Sequence, residues 1–186
     1  MSEDDRARWD ARYTDRDAPT AASVGPPPVF APYSGVFPMS GRALELACGV
    51  GGASVWLARR GLDVWGMDVS AVAIEQARAL AGRSGVAHRC RFDVVDLDDG
   101  LPAGPAVSVV LCHRFVDRRL DAAILDRLAP GGLLAIAALS VVGAPGAGRY
   151  RAAPGELSAA FASLQIIASG EGCGEAWLVG RKMAEK

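Results

Sequence analysis

Ala43-Leu44-Glu45-Leu46-Ala47-Cys48-Gly49-Val50-Gly51-Gly52 is the stretch on which the reading of this chain turns. Ala43 to Ala47 reads as a strand. The stretch closes on three glycines, and Gly51 to Arg60 reads as a helix. Glycines at a strand-to-helix junction let the backbone approach a ligand closely. Glu45 stands inside the run, four residues before Gly49.

Working outward, Leu62 to Asp68 reads as the next strand, and Asp68 ends it nineteen residues after Gly49. Ligands of open α/β sheets sit beyond the carboxyl ends of the strands, where an acid can hydrogen-bond ribose hydroxyls. A nucleoside cofactor follows. Ala71 to Ala81 reads as a helix with Ser70 as its N-cap. His88 to Val94, Val107 to Cys112 and Leu133 to Val142 read as further strands, with a helix over Arg118 to Leu128 that stops before Pro130-Gly131-Gly132. A helix from Pro154 to about Phe161 precedes strands at Leu164 to Ser169 and Ala176 to Arg181. Strands alternating with helices predict a parallel α/β sheet, closed here by an antiparallel hairpin. Upstream, Glu3 to Thr14 reads as a short helix with Trp9 and Tyr13 on one face. Ala18 to Ser40 reads as a Pro-rich loop with a short turn near Val29-Phe30.

The chain has 186 residues and a formal net charge of −1, which predicts one domain and leaves no global footprint for a nucleic acid. Lysine occurs only at Lys182 and Lys186, so a phosphate loop ending in Gly-Lys-Ser/Thr is excluded. Asparagine is absent, which removes the Asn-Pro-Pro-Tyr loop used to methylate exocyclic or amide nitrogens. No Gly-x-Ser-x-Gly elbow is present. The longest apolar run is far shorter than the roughly 20 residues of a membrane helix. Cys48, Cys90, Cys112 and Cys173 are scattered, which predicts a reduced, cytoplasmic chain without a metal site.

The dinucleotide pattern G-x-G-x-x-G fails at Ser54. A pyrophosphate also favours a helix N-terminus without an acid beside it. Glu45 suits instead a cofactor that carries positive charge, the sulfonium and amine of S-adenosylmethionine. Residues 44–51 resemble the first motif of the class I S-adenosylmethionine-dependent methyltransferases, acid-x-G-x-G-x-G, with Ala47 in place of the first glycine. Met67-Asp68-Val69-Ser70 resembles the second motif. Phe92 to Leu97, followed by Leu101-Pro102, resembles the third-strand segment, with Asp96 rather than Asp93 as its acid. Leu128-Ala129-Pro130-Gly131-Gly132 resembles the segment before strand five. Trp9-Asp10-Ala11-Arg12-Tyr13 is similar to the leader of small bacterial enzymes of the tellurite-resistance and thiopurine types.

The resemblance implies a Rossmann-like, seven-stranded, mostly parallel sheet with helices on both faces and a C-terminal antiparallel hairpin. It implies a single domain overall. Residues 1–41 would be a helix and loop capping the cofactor, and residues 42–186 the methyltransferase domain. It implies a cofactor site of Trp9, Tyr13, Glu45, Ala47, Cys48, Gly49, Gly51, Asp68, Val69, Asp96, Leu97 and Cys112. Cys48 and Cys112 also read as small core residues.

On the acceptor side stand His113, which can take a proton near neutral pH, and Arg151. Gly148-Arg149-Tyr150-Arg151 resembles a loop bordering the acceptor pocket. Arg118 and Arg119 open a helix, where cations are disfavoured. His88 reads as structural. The expected activity is methyl transfer to a small-molecule S, O or N nucleophile by a monomer or homodimer, with no nucleic acid and no membrane as partner. Open beside it stand a methyltransferase acting on RNA or protein, a non-catalytic cofactor-binding protein, and a nicotinamide enzyme. Ala138-Leu139-Ser140, with no acid at the end of strand five, keeps the non-catalytic reading open.

Overall fold

A computed structural model describes residues 3–144 and 150–184. The chain forms two compact units, Met1–Gly100 and Leu101–Lys186. The first holds α1 (Glu3–Thr14), β1 (Arg42–Leu46), α2 (Gly52–Arg59), β2 (Asp63–Asp68), α3 (Ala71–Arg83) and β3 (Cys90–Val94). Its strands run in the order β3-β2-β1, all parallel. β1 is buried at four consecutive positions, Ala43 to Leu46, with Glu45 among them, so both of its faces are covered. α3 buries Ala73, Ile74, Ala77, Leu80 and Ala81, one helical stripe. Ser70 caps it, its side chain accepting from the Ala73 N–H at 3.1 Å. Phe92 and Val55 close the core beneath that stripe.

The second unit holds β4 (Val107–His113), α4 (Asp121–Arg127), β5 (Leu128–Leu139), α5 (Glu156–Ala160), β6 (Gln165–Gly172) and β7 (Glu175–Arg181). Its order is β4-β5-β7-β6, with β4 and β5 parallel and β7 antiparallel to both neighbours. The expected class holds: a Rossmann-like α/β fold of seven strands, with parallel pairing in both units and antiparallel pairing in the C-terminal hairpin.

Three local readings differ from the structure. Pro130-Gly131-Gly132 is not a gap before strand five but part of β5. A register shift between Val107 and Val109 absorbs the extra residues, and Gly131 and Gly132 exchange bonds with Lys182. The hairpin turn shrinks from five residues to Cys173 and Gly174, both at positive φ (52° and 80°), the pair of conformations that matches the twist of two joined strands. The Pro-rich loop carries a 3-10 segment over Pro28–Val36, nine residues rather than one turn. Phe30 is fully buried, and Phe37 packs edge-on against Trp56 at 5.0 Å, so these two rings anchor the loop. No helix among the described residues is long and apolar enough to cross a membrane.

Candidate active site

The glycine loop leaves β1 through alternating left-handed residues: Ala47 at φ 50°, Gly49 at 53° and Gly51 at 77°. Ala47 is the strained one, since a Cβ disfavours this region. Two bonds hold it: the Cys48 N–H donates to the Met67 carbonyl at 2.9 Å, and the Gly51 N–H to the Cys48 carbonyl at 3.0 Å. The loop therefore rests on the end of β2.

Asp68 stands at that end, 6% exposed. One carboxylate oxygen accepts the Gly49 N–H at 2.8 Å and the other the Ser70 N–H at 3.0 Å. One side chain thus ties the glycine loop to the start of α3. Burial raises the Asp68 pKa, against the backbone donors that stabilise its charge. The Val95 N–H donates to the Asp68 carbonyl at 2.9 Å, which brings the segment after β3 to the same place. There Asp96 caps a 3-10 turn, accepting from the Asp98 N–H at 3.0 Å, and Leu97 is buried. Asp93 is committed elsewhere, to the Trp65 indole N–H at 2.8 Å and to Arg91 at 2.6 Å.

Glu45 is buried in β1 and accepts a short bond from the Ser54 hydroxyl on α2. Burial, with Asp68 adding to it, raises its pKa to about 8 despite the Ser54 bond. Burial, with Glu45 and then Asp68 adding to it, holds the Cys48 thiol well above its ordinary pKa, so it stays a neutral core thiol. Neither Glu45 nor Asp68 has a cationic hydrogen-bond partner among the described residues. Two buried acids without a cation suit a ligand that brings one, as a sulfonium or ammonium would.

The raised Glu45 pKa has a stability consequence. Unfolded, Glu45 titrates near 4.5. Between that value and about 8 the native state holds a proton that the unfolded chain has lost, so this group makes stability fall as pH rises. The slope is at most about 1.4 kcal/mol per pH unit. Glu45→Gln is expected to remove it. In urea unfolding the variant should gain on the wild type steadily from pH 5 to pH 8, and a constant difference would refute the assignment.

α1 lies against this site. Asp10 accepts from the Ser70 hydroxyl at 2.5 Å and the Val72 N–H at 3.3 Å, so it adds a second cap to α3. The Gln76 amide donates to the Tyr13 carbonyl at 3.1 Å. The Tyr13 hydroxyl lies over Gly49, 2.9 Å from where a Cβ would stand. Burial, then Asp68 and Cys48, push its pKa up. Trp9 stacks on Tyr13 at 6.0 Å between Arg8 and Arg12. Sequence reasoning named Trp9 and Tyr13 and missed Asp10 and Ser54. Their signal was available only as an acid between two same-face aromatics and a hydroxyl beyond the glycines.

In the second unit, Cys112 is buried at the end of β4 and its thiol donates to the Phe115 carbonyl at 3.3 Å. His113 follows, half-buried, its Nε2 3.4 Å from Glu175. Arg151 donates to the Ser140 carbonyl at 2.7 Å and reaches the Gly174 carbonyl at 3.5 Å, bracing the hairpin turn. Gly148 and Arg149 lie outside the described residues. Arg118 pairs with Glu156 at 2.5 Å and Arg119 with Asp117 at 2.6 Å, which accounts for both arginines at that helix start. His88 is exposed on a 3-10 turn.

Residues 43–132 match the family model described as a methyltransferase domain. The ribosomal RNA small subunit methyltransferase C of Alcanivorax borkumensis is 34% identical over 50% of this chain and 31% of its own length. The chain thus spans about a third of that curated relative. TehB from Haemophilus influenzae superposes with a TM-score of 0.68 at 17% identity, over 77% of this chain and 58% of that one. A protein described by the conversion of a disulfide bond into a thioacetal group during echinomycin biosynthesis gives 0.69 at 21% identity, over 97% and 94%. The complex of DhpI with S-adenosylhomocysteine gives 0.62 at 22%, over 96% and 95%. At these identities the solved structures share the fold.

Proposed function

We propose that this chain is a class I S-adenosylmethionine-dependent methyltransferase, as the family model over residues 43–132 supports, and that it moves a methyl group from that cofactor to a small-molecule acceptor. The observation that carries the reading is the Asp68 carboxylate, which joins the glycine loop to α3 at the end of β2. In this reading Asp68 takes the ribose hydroxyls, and Asp96 with Val69 and Leu97 takes the adenine. The loop backbone of Ala47, Cys48, Gly49 and Gly51 meets the amino-acid end. Glu45, bonded to Ser54, offers a buried carboxyl beneath it. Trp9 and Tyr13 cover the site from α1. Residues 1–41 act as its cap, and 42–186 as the transferase domain.

When bound, the cofactor supplies the electrophilic methyl group and a neutral thioether leaving group. What remains for the protein is positioning, which contributes roughly 7–11 kcal/mol when reacting atoms are held near in line. Asp68 holds charge, and the α1 rings exclude water.

A small acceptor is favoured over a polyanion by the charge around the loop. Asp10, Asp68 and Asp96 stand there, and the net charge is −1. A second reading, transfer to RNA, is favoured by the name of the 34%-identical relative. Calorimetry is expected to show binding of S-adenosylmethionine and S-adenosylhomocysteine but not NAD. Labelled methyl transfer to a panel of thiols, phenols and amines is expected to succeed on at least one member. Binding without transfer to any panel member or to RNA would favour the non-catalytic reading. Transfer to RNA, weakening steeply with salt, would establish the second reading.

A further inference from the structure

The C-terminal ends of α2 and α3 carry arginines that the cofactor site does not use. α2 leaves the glycine loop at Gly52 and ends on Arg59. α3 carries Arg83 thirteen residues beyond its cap Ser70, about 20 Å along the helix. Against these two ends lies the chain between α1 and the 3-10 segment. Together they frame a cleft of about 380 Å³, lined by Ala18 to Ala21, Arg59, Leu80, Arg83 and Ser84. All of it belongs to the first unit.

The chemistry of this lining is one-sided. Arg59 and Arg83 are both exposed, and the Arg59 guanidinium has no hydrogen bond or ion pair among the described residues. Arg83 donates one N–H to the Pro19 carbonyl at 2.7 Å and has further donors beside it. Asp15 and Asp17, on the same stretch of chain, are exposed and outside the lining. Helix C-termini ordinarily repel anions. Here their last carbonyls are covered, since those of Ala58, Leu80, Ala81 and Gly82 accept N–H groups from the turns that follow. Two full positive charges then outweigh two partial negative ones. Leu80, 1% exposed, makes an apolar floor beside Pro19.

We propose that this cleft binds a small phosphate monoester with a compact apolar body, and that the bound ester holds α1 over the glycine loop. A phosphate offers enough oxygens to engage both guanidinium groups, in paired hydrogen bonds to each. Thr20 and Ser84 add hydroxyls to the lining, and the body of the ester covers Leu80. The volume falls within the range of small-molecule sites. The coupling follows from the path of the chain. Upstream of the cleft, the Tyr13 hydroxyl lies over Gly49. Downstream, the Ser23 carbonyl closes on Gly52 so tightly that a Cβ there would collide with it. A short turn joins Ser23 to the cleft, its N–H donating to the Thr20 carbonyl at 2.9 Å. Fixing Ala18 to Ala21 therefore fixes both contacts with the glycine loop. The ester and the cofactor then strengthen each other's binding by the same factor. The cleft stands without the methyl-transfer reading, and the coupling rests on it.

Calorimetric titration of the whole chain with phenyl phosphate tests both parts. Phenyl phosphate is expected to bind about tenfold tighter than inorganic phosphate, because its ring covers Leu80. Arg59→Gln should weaken it by about tenfold or more, with the melting temperature unchanged. Arg42→Gln, at an exposed arginine that opens β1 outside the lining, should leave it as it was. Saturating phenyl phosphate should tighten S-adenosylhomocysteine by about fivefold or more, and S-adenosylhomocysteine should return the same factor. Absence of phenyl phosphate binding, or binding indifferent to Arg59→Gln, overturns the site. Equal affinity for inorganic phosphate overturns the apolar body. A phosphotyrosine peptide binding a hundredfold tighter assigns the cleft to a protein partner and overturns the small-molecule class. Mutual weakening places phenyl phosphate at the glycine loop and overturns the site, and mutual indifference overturns the coupling. A chain that binds phenyl phosphate through Arg59 but never binds S-adenosylhomocysteine overturns the methyl-transfer reading and leaves the cleft standing.

Discussion

Replacing Asp68 with alanine is expected to weaken both S-adenosylmethionine and S-adenosylhomocysteine by about 10- to 100-fold. The carboxylate does two things at once. It offers charge at the end of β2, and it satisfies the Gly49 and Ser70 N–H groups at 2.8 and 3.0 Å. A hydrogen bond to a charged group is worth about 1.5–3 kcal/mol, and each 1.4 kcal/mol is a factor of ten in affinity. Alanine therefore removes the ribose partner and frees the loop that frames the rest of the cofactor. Asp68→Asn should recover part of the loss, since its amide oxygen can still accept one of the two N–H groups. Calorimetric titration measures the effect, with a thermal melt run beside it to separate binding from folding. Unchanged affinity in a folded Asp68→Ala protein would remove the basis of the proposed function.

The second large effect falls on stability. Gly51→Ala should cost about 2–5 kcal/mol and lower Tm by about 5–15 °C. Two causes add. Gly51 sits at φ 77°, where a Cβ is strained. A Cβ there would also stand 2.7 Å from the Ala77 Cβ and 3.2 Å from the Ala77 Cα and the Phe92 ring. None of these is the yielding end of a flexible side chain. Gly85→Ala separates the causes. It has the same kind of backbone, φ 71°, with nothing within 4 Å of the added carbon, so it should show the strain alone. Equal losses at the two positions would mean that the contact with α3 is unimportant.

The contrast between Gly51 and Gly85 also marks how far the sequence could be read. That residues 49–52 form a strand-to-helix loop is local, because glycine spacing and the apolar run before it leave few alternatives. That Gly51 faces Ala77 depends on α3 crossing the loop, which no local pattern states. Ser70 as a cap was legible because a cap acts within its own turn, here three residues away. Asp10 as a second cap was not, because it arrives from sixty residues upstream. The Pro-Gly-Gly segment misled for a related reason. Its composition favours a turn, yet pairing with Val107 and Lys182 overrides it and carries β5 back to Leu128.

By itself, then, the sequence determined the alternation of strands and helices, the glycine loop, the acid at the end of β2 and the cofactor class these imply. Each depends on period, spacing and backbone freedom, which are properties of neighbours in the chain. Only the tertiary structure decided the partners of the buried polar groups: Ser54 for Glu45, Asp10 for Ser70, Glu175 for His113. A buried polar atom must be matched in space rather than in sequence, and the match exists only once the strands and helices that carry the two groups have packed.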